Sequence, residues 1–367
     1  MALADTPGSP APEPSAIAPP RPRPAPPRTR QAELAVVIVN FCQWRNTARL
    51  VAQLRRSAAF RTGAAEVVVV DNHSPFHPVV RKLRRLRGVT IRRFSRNHGF
   101  ARAVNRGAKV AREHPQREPA ENPWVLLLNP DVTVPDGFLD EALATARKLS
   151  ENDPQAGVVG FRLRNRDGSG QASAGPFPTL LGTVAGMILP RSRRKCRHLA
   201  AEGKQEVDWV TGGCLLVRRD CFEQLGGLDE TFFLYYEDVD FCRRASDAGW
   251  SVWYDPSLDV THHWPLHARR VPAALRLMTR HALLTYSRKH WGGWQSGLLA
   301  GLIWAEAGLR QAWAAVRGDG DSARCYGQLR RLVGDVCRGR SADVRKRIRR
   351  AAAFLDPVAA EQDGRTV

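Results

Sequence analysis

The chain is polar and proline-rich up to residue 33, and it turns apolar at Leu34. Residues 34–39 form one continuous apolar run of strand length, the pattern of a strand buried on both faces. Residues 47–59 have helical spacing of apolar positions. Residues 66–70 and 89–94 read as two further buried strands, 100–112 as a helix, 124–128 as a fourth strand and 136–150 as a helix. Strands alternating with helices at this spacing predict βαβ units and a mainly parallel sheet.

Beyond residue 155 the pattern changes. Short apolar runs at 157–163 and 209–217 are interrupted by Gly and Asn, which predicts mixed or antiparallel strands. A basic stretch at 191–204 reads as a mobile loop. A helix over 237–248 and a strand near 250–254 follow, and from Pro272 to about Ala353 the pattern is amphipathic and helical. The expected organisation is a disordered tail over 1–33, an α/β domain over 34–270, a basic helical extension over 271–353 and a short tail over 354–367. Ten prolines between Pro7 and Pro27, mixed with Ala, leave the first segment without the material for a core.

Composition adds three constraints. Of 367 residues, 43% are apolar and 25% charged, enough for a sizeable core. The net charge of +20 is mostly arginine, which suits a phosphorylated substrate, an anionic membrane surface or nucleic acid, or reflects a coding bias. Seven cysteines without a C-x-x-C pair fit free thiols and a reducing cytoplasm better than a disulfide framework. No secretory leader is evident, and the most apolar long stretch, 297–316, is interrupted by Glu306 and Arg310.

Candidate chemistry collects at the carboxyl ends of the predicted parallel strands, where open α/β sheets bind ligands. Asn40 follows the first strand, Asp71 and Asn72 the second, Asn97 the third, and Asn129 and Asp131 the fourth. A second constellation is Phe232-Phe233-Leu234-Tyr235-Tyr236-Glu237-Asp238-Val239-Asp240, three carboxylates beside a dense aromatic run. Helix capping is the plain reading of the carboxylates. An aromatic wall also suits sugar packing and a general base. His262, His263 and His267 offer nitrogen ligands, and Gly212-Gly213 reads as a turn where backbone can approach a ligand.

Taken together, these motifs resemble family 2 glycosyltransferases, inverting enzymes of the GT-A fold, with the rhamnosyltransferase-like branch most similar. The matching segments are Val37-Ile38-Val39-Asn40-Phe41, Val70-Asp71-Asn72-His73-Ser74, Asn97-His98-Gly99-Phe100-Ala101 with Asn105-Arg106-Gly107, Leu128-Asn129-Pro130-Asp131-Val132, Thr211-Gly212-Gly213-Cys214 and residues 226–240. The resemblance spans about residues 34–265. It implies a Rossmann-like sheet flanked by helices, a nucleotide-diphosphate sugar as donor and Mg²⁺ or Mn²⁺ as cofactor.

The resemblance also implies roles. Asn40, Asp71 and Asn72 would lie around the donor's base and ribose, and Asn97, Gly99, Phe100 and Asn105 would shape the nucleotide pocket. Asn129 and Asp131 stand at the two ends of the family's D-x-D metal motif, so the first carboxylate is an amide here. Asp238 matches the catalytic base, with Glu237 supporting it or touching the acceptor. His263 matches a metal-completing histidine, with His262 the competing choice. After it the sequence departs from the family's small residues and reads Trp264-Pro265-Leu266-His267.

The expected reaction is transfer of a sugar, with rhamnose from a dTDP donor leading and UDP- or GDP-linked sugars behind. The acceptor would be a hydroxyl of a glycan or lipid-linked glycan in cell-surface polysaccharide synthesis. The expected setting is the cytoplasm; the Trp- and Leu-rich helices after residue 290 fit packing against the catalytic domain or another subunit, with peripheral association at an anionic membrane as the alternative. Three rival readings stay open: a non-catalytic sugar-nucleotide binder, a nucleotidyltransferase and a basic nucleic-acid-binding protein. The last lacks zinc spacing, a recognition helix and RNP-type aromatics, so no nucleic-acid partner is expected.

Overall fold

The computed structural model describes residues 29–30, 32–113, 117–118, 123–188, 203–263 and 273–353. The central strands are β1 (Leu34–Asn40), β2 (Ala65–Asp71), β3 (Val89–Arg93), β4 (Trp124–Leu128), β5 (Ala156–Arg164), β6 (Cys214–Arg218) and β7 (Ser251–His262). They lie in the order β7-β5-β6-β4-β1-β2-β3, with Gln205–Glu206 outside β7. The run from β4 to β3 is parallel; β6 is antiparallel to both β4 and β5, and β7 runs parallel to β5. This is the mixed, mainly parallel sheet of a GT-A fold.

The helices around it are α1 (Trp44–Leu54), α2 (Ala58–Thr62), α3 (Val79–Arg84), α4 (Phe100–Arg112), α5 (Phe138–Asn152), α6 (Leu180–Ile188), α7 (Arg219–Gln224), α8 (Glu237–Asp247), α9 (Ala273–His290), α10 (Gly293–Val316), α11 (Gly320–Cys337) and α12 (Ser341–Ala353). Strand order explains where a ligand can enter. The chain builds β1, β2 and β3 outward on one side, then returns through α4 to place β4 on β1's other side. The carboxyl ends of β1 and β4 therefore flank the switch point, the usual crevice of such sheets.

Alternation along β1 builds two cores. Ala35, Val37 and Val39 join a layer that includes α4 and α8 to α12, while Leu34, Val36 and Ile38 join one with α1 and α5. Both faces are apolar because both are covered, and β-branched side chains suit the pleat. Each fully buried Val or Leu contributes roughly 1.5–3 kcal/mol. Contact on the α4 side is close: a Cβ at Gly107 would lie 2.4 Å from Val37 Cγ1.

Three elements differ from the sequence reading. The helix expected over 47–59 is divided, because Ser57 leaves it to accept a hydrogen bond from Leu139 N (3.2 Å) at the start of α5. Apolar spacing continues through the break since α1 and α2 bury against one layer. The strand expected at 250–254 runs on to His262. A bulge between Asp255 and Asp259 holds Pro256, which has no N–H to give a ladder, and pairing with β5 then resumes. The run at 209–217 splits at Thr211-Gly212-Gly213: Trp209–Val210 pairs with Ala174–Gly175, and β6 begins at Cys214.

Order also begins slightly before Leu34. Ala32 is buried, and Arg147 donates to both Glu33 oxygens (2.8 and 2.7 Å). The remaining tails, most of the 191–204 stretch, and His267 with its neighbours lie outside the described residues. No disulfide joins the six described cysteines, and burial pushes the Cys221 thiol up to about 12.

The helical extension shares a core with the sheet layer. Leu275, Met278 and Tyr286 of α9 are buried there, and the Tyr286 ring lies 5.6 Å from that of Tyr236, at the N-terminal end of α8. No helix of the described residues is long and apolar enough to cross a membrane.

Candidate active site

The strand ends come together as the sequence pattern predicts, but many of their amides are used internally. Asn40 is fully buried: its Nδ2 donates to Asp71 Oδ1 (3.1 Å) and Ser74 Oγ (2.9 Å), and its Oδ1 accepts from Thr47 Oγ1 (2.8 Å). Ser74 also fixes the loop after β1 by accepting from Cys42 N (2.8 Å). Asp71 faces the Arg93 guanidinium across 3.2 Å, at a cavity lined by Trp44, Phe76, Arg81 and Arg84.

Asn72 and Asn97 shape one loop. Asn72 Nδ2 donates to Asn97 Oδ1 (2.8 Å) and Gly99 O (3.1 Å), and its Oδ1 accepts from His98 N (2.9 Å). Gly99 closes that loop with φ +91°, and a Cβ there would lie 2.6 Å from the Phe233 carbonyl oxygen. Only glycine fits both demands. Phe100 N donates to that same carbonyl (2.7 Å), so the start of α4 is tied to the aromatic run. The Asn105 side chain brackets Leu228, donating to its O (2.8 Å) and accepting from its N (2.9 Å).

Asp131 lies at the turn after β4 and is nearly buried. Asn129 N donates to Gly213 O (3.1 Å), which locks that turn against the start of β6. The end of β7 supplies the histidines. His262 Nε2 lies 3.5 Å from Asp131 Oδ1, and its Nδ1 meets the Gln171 amide. His263 uses its backbone N to donate to Asp131 O (3.0 Å), and its ring Nε2 meets Thr133 Oγ1 (2.7 Å). The ring beside the Asp131 carboxylate is therefore that of His262. Burial, with the Arg49 and Arg166 charges, lowers the His263 pKa against an opposing pull from Asp131, so His263 is neutral near pH 7.

Among the described residues no three His, Cys, Asp or Glu side chains converge on one point. Asp131 and His262 nevertheless fit a divalent ion that takes its other ligands from diphosphate oxygens and water. Such ions are commonly held by one or two carboxylates plus substrate phosphate.

The carboxylate constellation is sorted by burial. Tyr235 and Tyr236 both adopt left-handed φ (72° and 67°), an unusual backbone for tyrosine that turns the chain sharply into α8. Glu237 and Asp240 then point inward, at 6% and 0% exposure, while Asp238 stays partly open. Asp238 Oδ2 accepts from Gly212 N and Oδ1 from Val239 N, both at 2.9 Å, leaving lone pairs on each oxygen for a further partner. A Cβ at Gly212 would stand 3.6 Å from Asp238 Cβ and 4.0 Å from the Phe100 ring. The bare backbone thus borders both groups.

Asp240 anchors this region to the extension. It accepts from Arg244 Nε, and Lys289 Nζ and His290 Nε2 of α9 reach its other oxygen, each at 2.8 Å. Lys289 also reaches Asp229 Oδ2 (2.6 Å). Burial raises the Asp240 carboxyl, but the bonds from His290 and Lys289 and the Arg244 charge outweigh it and hold the group below the ordinary range. Lys289 and His290 were not legible as partners: nothing local in 280–290 marks them, and only the third acidic residue, Asp240, hinted that a cation was needed.

Comparison with known proteins identifies the family. The sequence matches the family described as "Glycosyltransferase like family 2" over residues 31–283. It is 32% identical over 277 residues to an N-acetylglucosaminyl-diphospho-decaprenol L-rhamnosyltransferase of Mycobacterium tuberculosis, covering 72% of this chain and 87% of that protein. It is 26% identical to a low-salt glycan biosynthesis hexosyltransferase of Haloferax volcanii, over 67% of this chain and 72% of that one. A rhamnosyltransferase of Escherichia coli is 29% identical over 45% of this chain and 61% of its own length. Among solved structures, a Pyrobaculum calidifontis mannosyltransferase in complex with GDP-Man and Mn²⁺ gives a TM-score of 0.46 at 18% identity, covering 92% of this chain and 82% of that one, too loose a likeness to carry details of the site. With strand ends, acidic motif and family match in agreement, the chain belongs to the family 2 glycosyltransferases and is a glycosyltransferase enzyme of the rhamnosyltransferase-like kind.

Proposed function

We propose that the protein transfers a sugar, rhamnose in the leading reading, from a nucleotide-diphosphate donor to a hydroxyl of a lipid-linked glycan, with inversion at the anomeric carbon. One observation carries the chemistry. Of the three carboxylates at the start of α8, Asp238 alone is partly open, and it sits beside Gly212 and the Phe100 ring. A single available carboxylate suits an inverting reaction, in which one base takes the acceptor proton as the oxygen attacks opposite the leaving diphosphate. Glu237, buried behind it, supports the turn.

The donor's base and ribose are assigned to the crevice at the ends of β1 and β2, with Asp71 and the Asn72–Asn97 loop as its walls. Asn129 and Asp131 stand nearest the diphosphate. Asp131 and His262 would hold Mg²⁺ or Mn²⁺ there, and that ion when bound neutralises charge on the departing diphosphate. His263 keeps the adjoining turn in place through Thr133. A lipid-linked acceptor is supported by one relative, the Mycobacterium tuberculosis enzyme, which is named for a diphospho-decaprenol substrate.

Asp238→Asn tests the assignment. Turnover should fall by roughly 10²–10⁴-fold, the usual worth of a positioned general base, with the dissociation constant for the donor nucleotide unchanged. Near-normal turnover in this variant would remove Asp238 from the role of base.

A further inference from the structure

Helix α10 has two unlike faces. Leu299, Ala300, Ile303 and Ala307 are buried against the helical extension. On the opposite face, every exposed position from Gly293 to Leu309 is Gly, Ala, Leu or Trp. Trp294 is 71% exposed, Leu309 76% and Trp313 63%. Arg310 is the one exposed charge on the helix. Glu306, its one acidic residue, is half-buried between Arg280 (2.8 Å) and Arg310 (2.9 Å). Scattered exposed apolar residues mean little, but a row of this length marks an interaction surface.

Cations edge the row. The Arg317 guanidinium lies 5.2 Å over the Trp313 ring and that of Arg330 lies 4.0 Å over Trp304. Helix α6 packs against α10 and bears Leu181, 82% exposed. In the sequence α6 is followed by Arg191, Arg193, Arg194, Lys195 and Arg197.

We propose that the outer face of α10, with α6 beside it, seats the protein on an anionic lipid bilayer. Indole rings favour the boundary between hydrocarbon and headgroups, and an apolar helix face edged by cations matches anionic lipid. A second copy of the chain is the poorer fit, because a self-pairing face would bring two cationic edges and two +20 chains together. Trp291, just before α10, donates from Nε1 to Pro178 O (2.9 Å), which ties this surface to the segment before α6. Seated this way, the enzyme receives a lipid-linked acceptor from the surface it rests on. That last step depends on the proposed function, whereas the docking does not.

The test is flotation of the purified full-length protein with vesicles of mixed phosphatidylglycerol and phosphatidylcholine at low salt, without donor or acceptor. The comparison is a variant combining Trp294→Ser, Leu309→Ser and Trp313→Ser. The wild type should float, more weakly as salt rises. The variant should bind about tenfold more weakly or worse, losing apolar area from the interface, with an unchanged melting temperature. Equal flotation of the variant overturns the proposal, as does a wild type that stays off the vesicles. If that wild type is a dimer by light scattering and the variant a monomer, the face joins two copies instead.

Discussion

The proposed donor side and the proposed acceptor side of the site are built by different means. On the donor side, short polar residues end neighbouring parallel strands, and their amides bond to one another: Asn40 to Asp71 and Ser74, Asn72 to Asn97. The partners are close across the sheet, and each is placed by the strand before it. On the acceptor side, Asp238 is set by two left-handed tyrosines, a glycine from the turn before β6 and a buried carboxylate held from residues 289 and 290. The first half is rigid because the sheet is rigid. The second is held by long-range charge and backbone strain, so it depends on the helical extension.

Four changes would break or sharpen that contrast. Asp131→Ala acts on the donor side and should cost about 10²–10³ in turnover, the scale of losing one group that stabilises developing charge. It should also abolish the metal-dependent part of a nucleotide thermal shift. An unchanged Mn²⁺ effect would place the ion elsewhere.

On the acceptor side, Asp240→Asn leaves Lys289, His290 and Arg244 without their buried anion, and a loss of roughly 3–5 kcal/mol in unfolding free energy is expected. The folded-state pKa of Asp240 is depressed, so its stabilisation is present above the ordinary carboxyl value and is lost as pH falls through the depressed one. The difference between the two proteins should therefore be complete above about pH 4 and shrink below it, closing only as the depressed pKa is passed. Equal stability at pH 7 by denaturant titration would mean that the anchor is idle.

Gly99→Ala probes the seam between the halves. Alanine at φ +91° and against the Phe233 carbonyl should cost about 1–3 kcal/mol. It should also weaken donor binding by displacing the loop that Asn72 and Asn97 hold. A melting temperature and nucleotide affinity equal to wild type would show that the seam tolerates a Cβ.

The smallest effect lies in the extension. Burial lowers the His281 pKa to about 4, so this histidine stays neutral in the folded protein while the unfolded chain protonates near 6.5. Stability should therefore fall as pH drops from 6.5 toward 4, by on the order of 1–3 kcal/mol for this group. His281→Leu should flatten that part of the profile, and a variant with the same pH slope as wild type would remove His281 as its source.

The same contrast decides what the sequence reveals. Strands β1, β2 and β4 and their Asn and Asp ends were legible because burial on both faces leaves a continuous apolar run with the polar residue just after it. The acidic start of α8 was legible for another reason: three carboxylates stand beside a dense aromatic run. The pattern did not show which atoms are free. Asn40 and Asn105 read as pocket residues, yet their side chains are used on Asp71, Ser74 and Leu228, since an amide spent inside looks the same in sequence as one facing a ligand. His262 ends β7 and His263 lies just beyond it, so the two rings have different partners, and only the fold decides which one meets Asp131. Lys289 and His290 needed the fold, because about fifty residues separate them from the carboxylate they hold.

The most direct measurement is the anomeric configuration of the product, read by proton NMR after incubation with a nucleotide-diphosphate deoxyhexose, Mn²⁺ and a diphospho-lipid-linked glycan. The structure predicts transfer to an acceptor hydroxyl with the configuration opposite to that of the donor, and almost no product with Asp238→Asn. Retention of configuration, or full transfer by the variant, would contradict a single-base mechanism at Asp238.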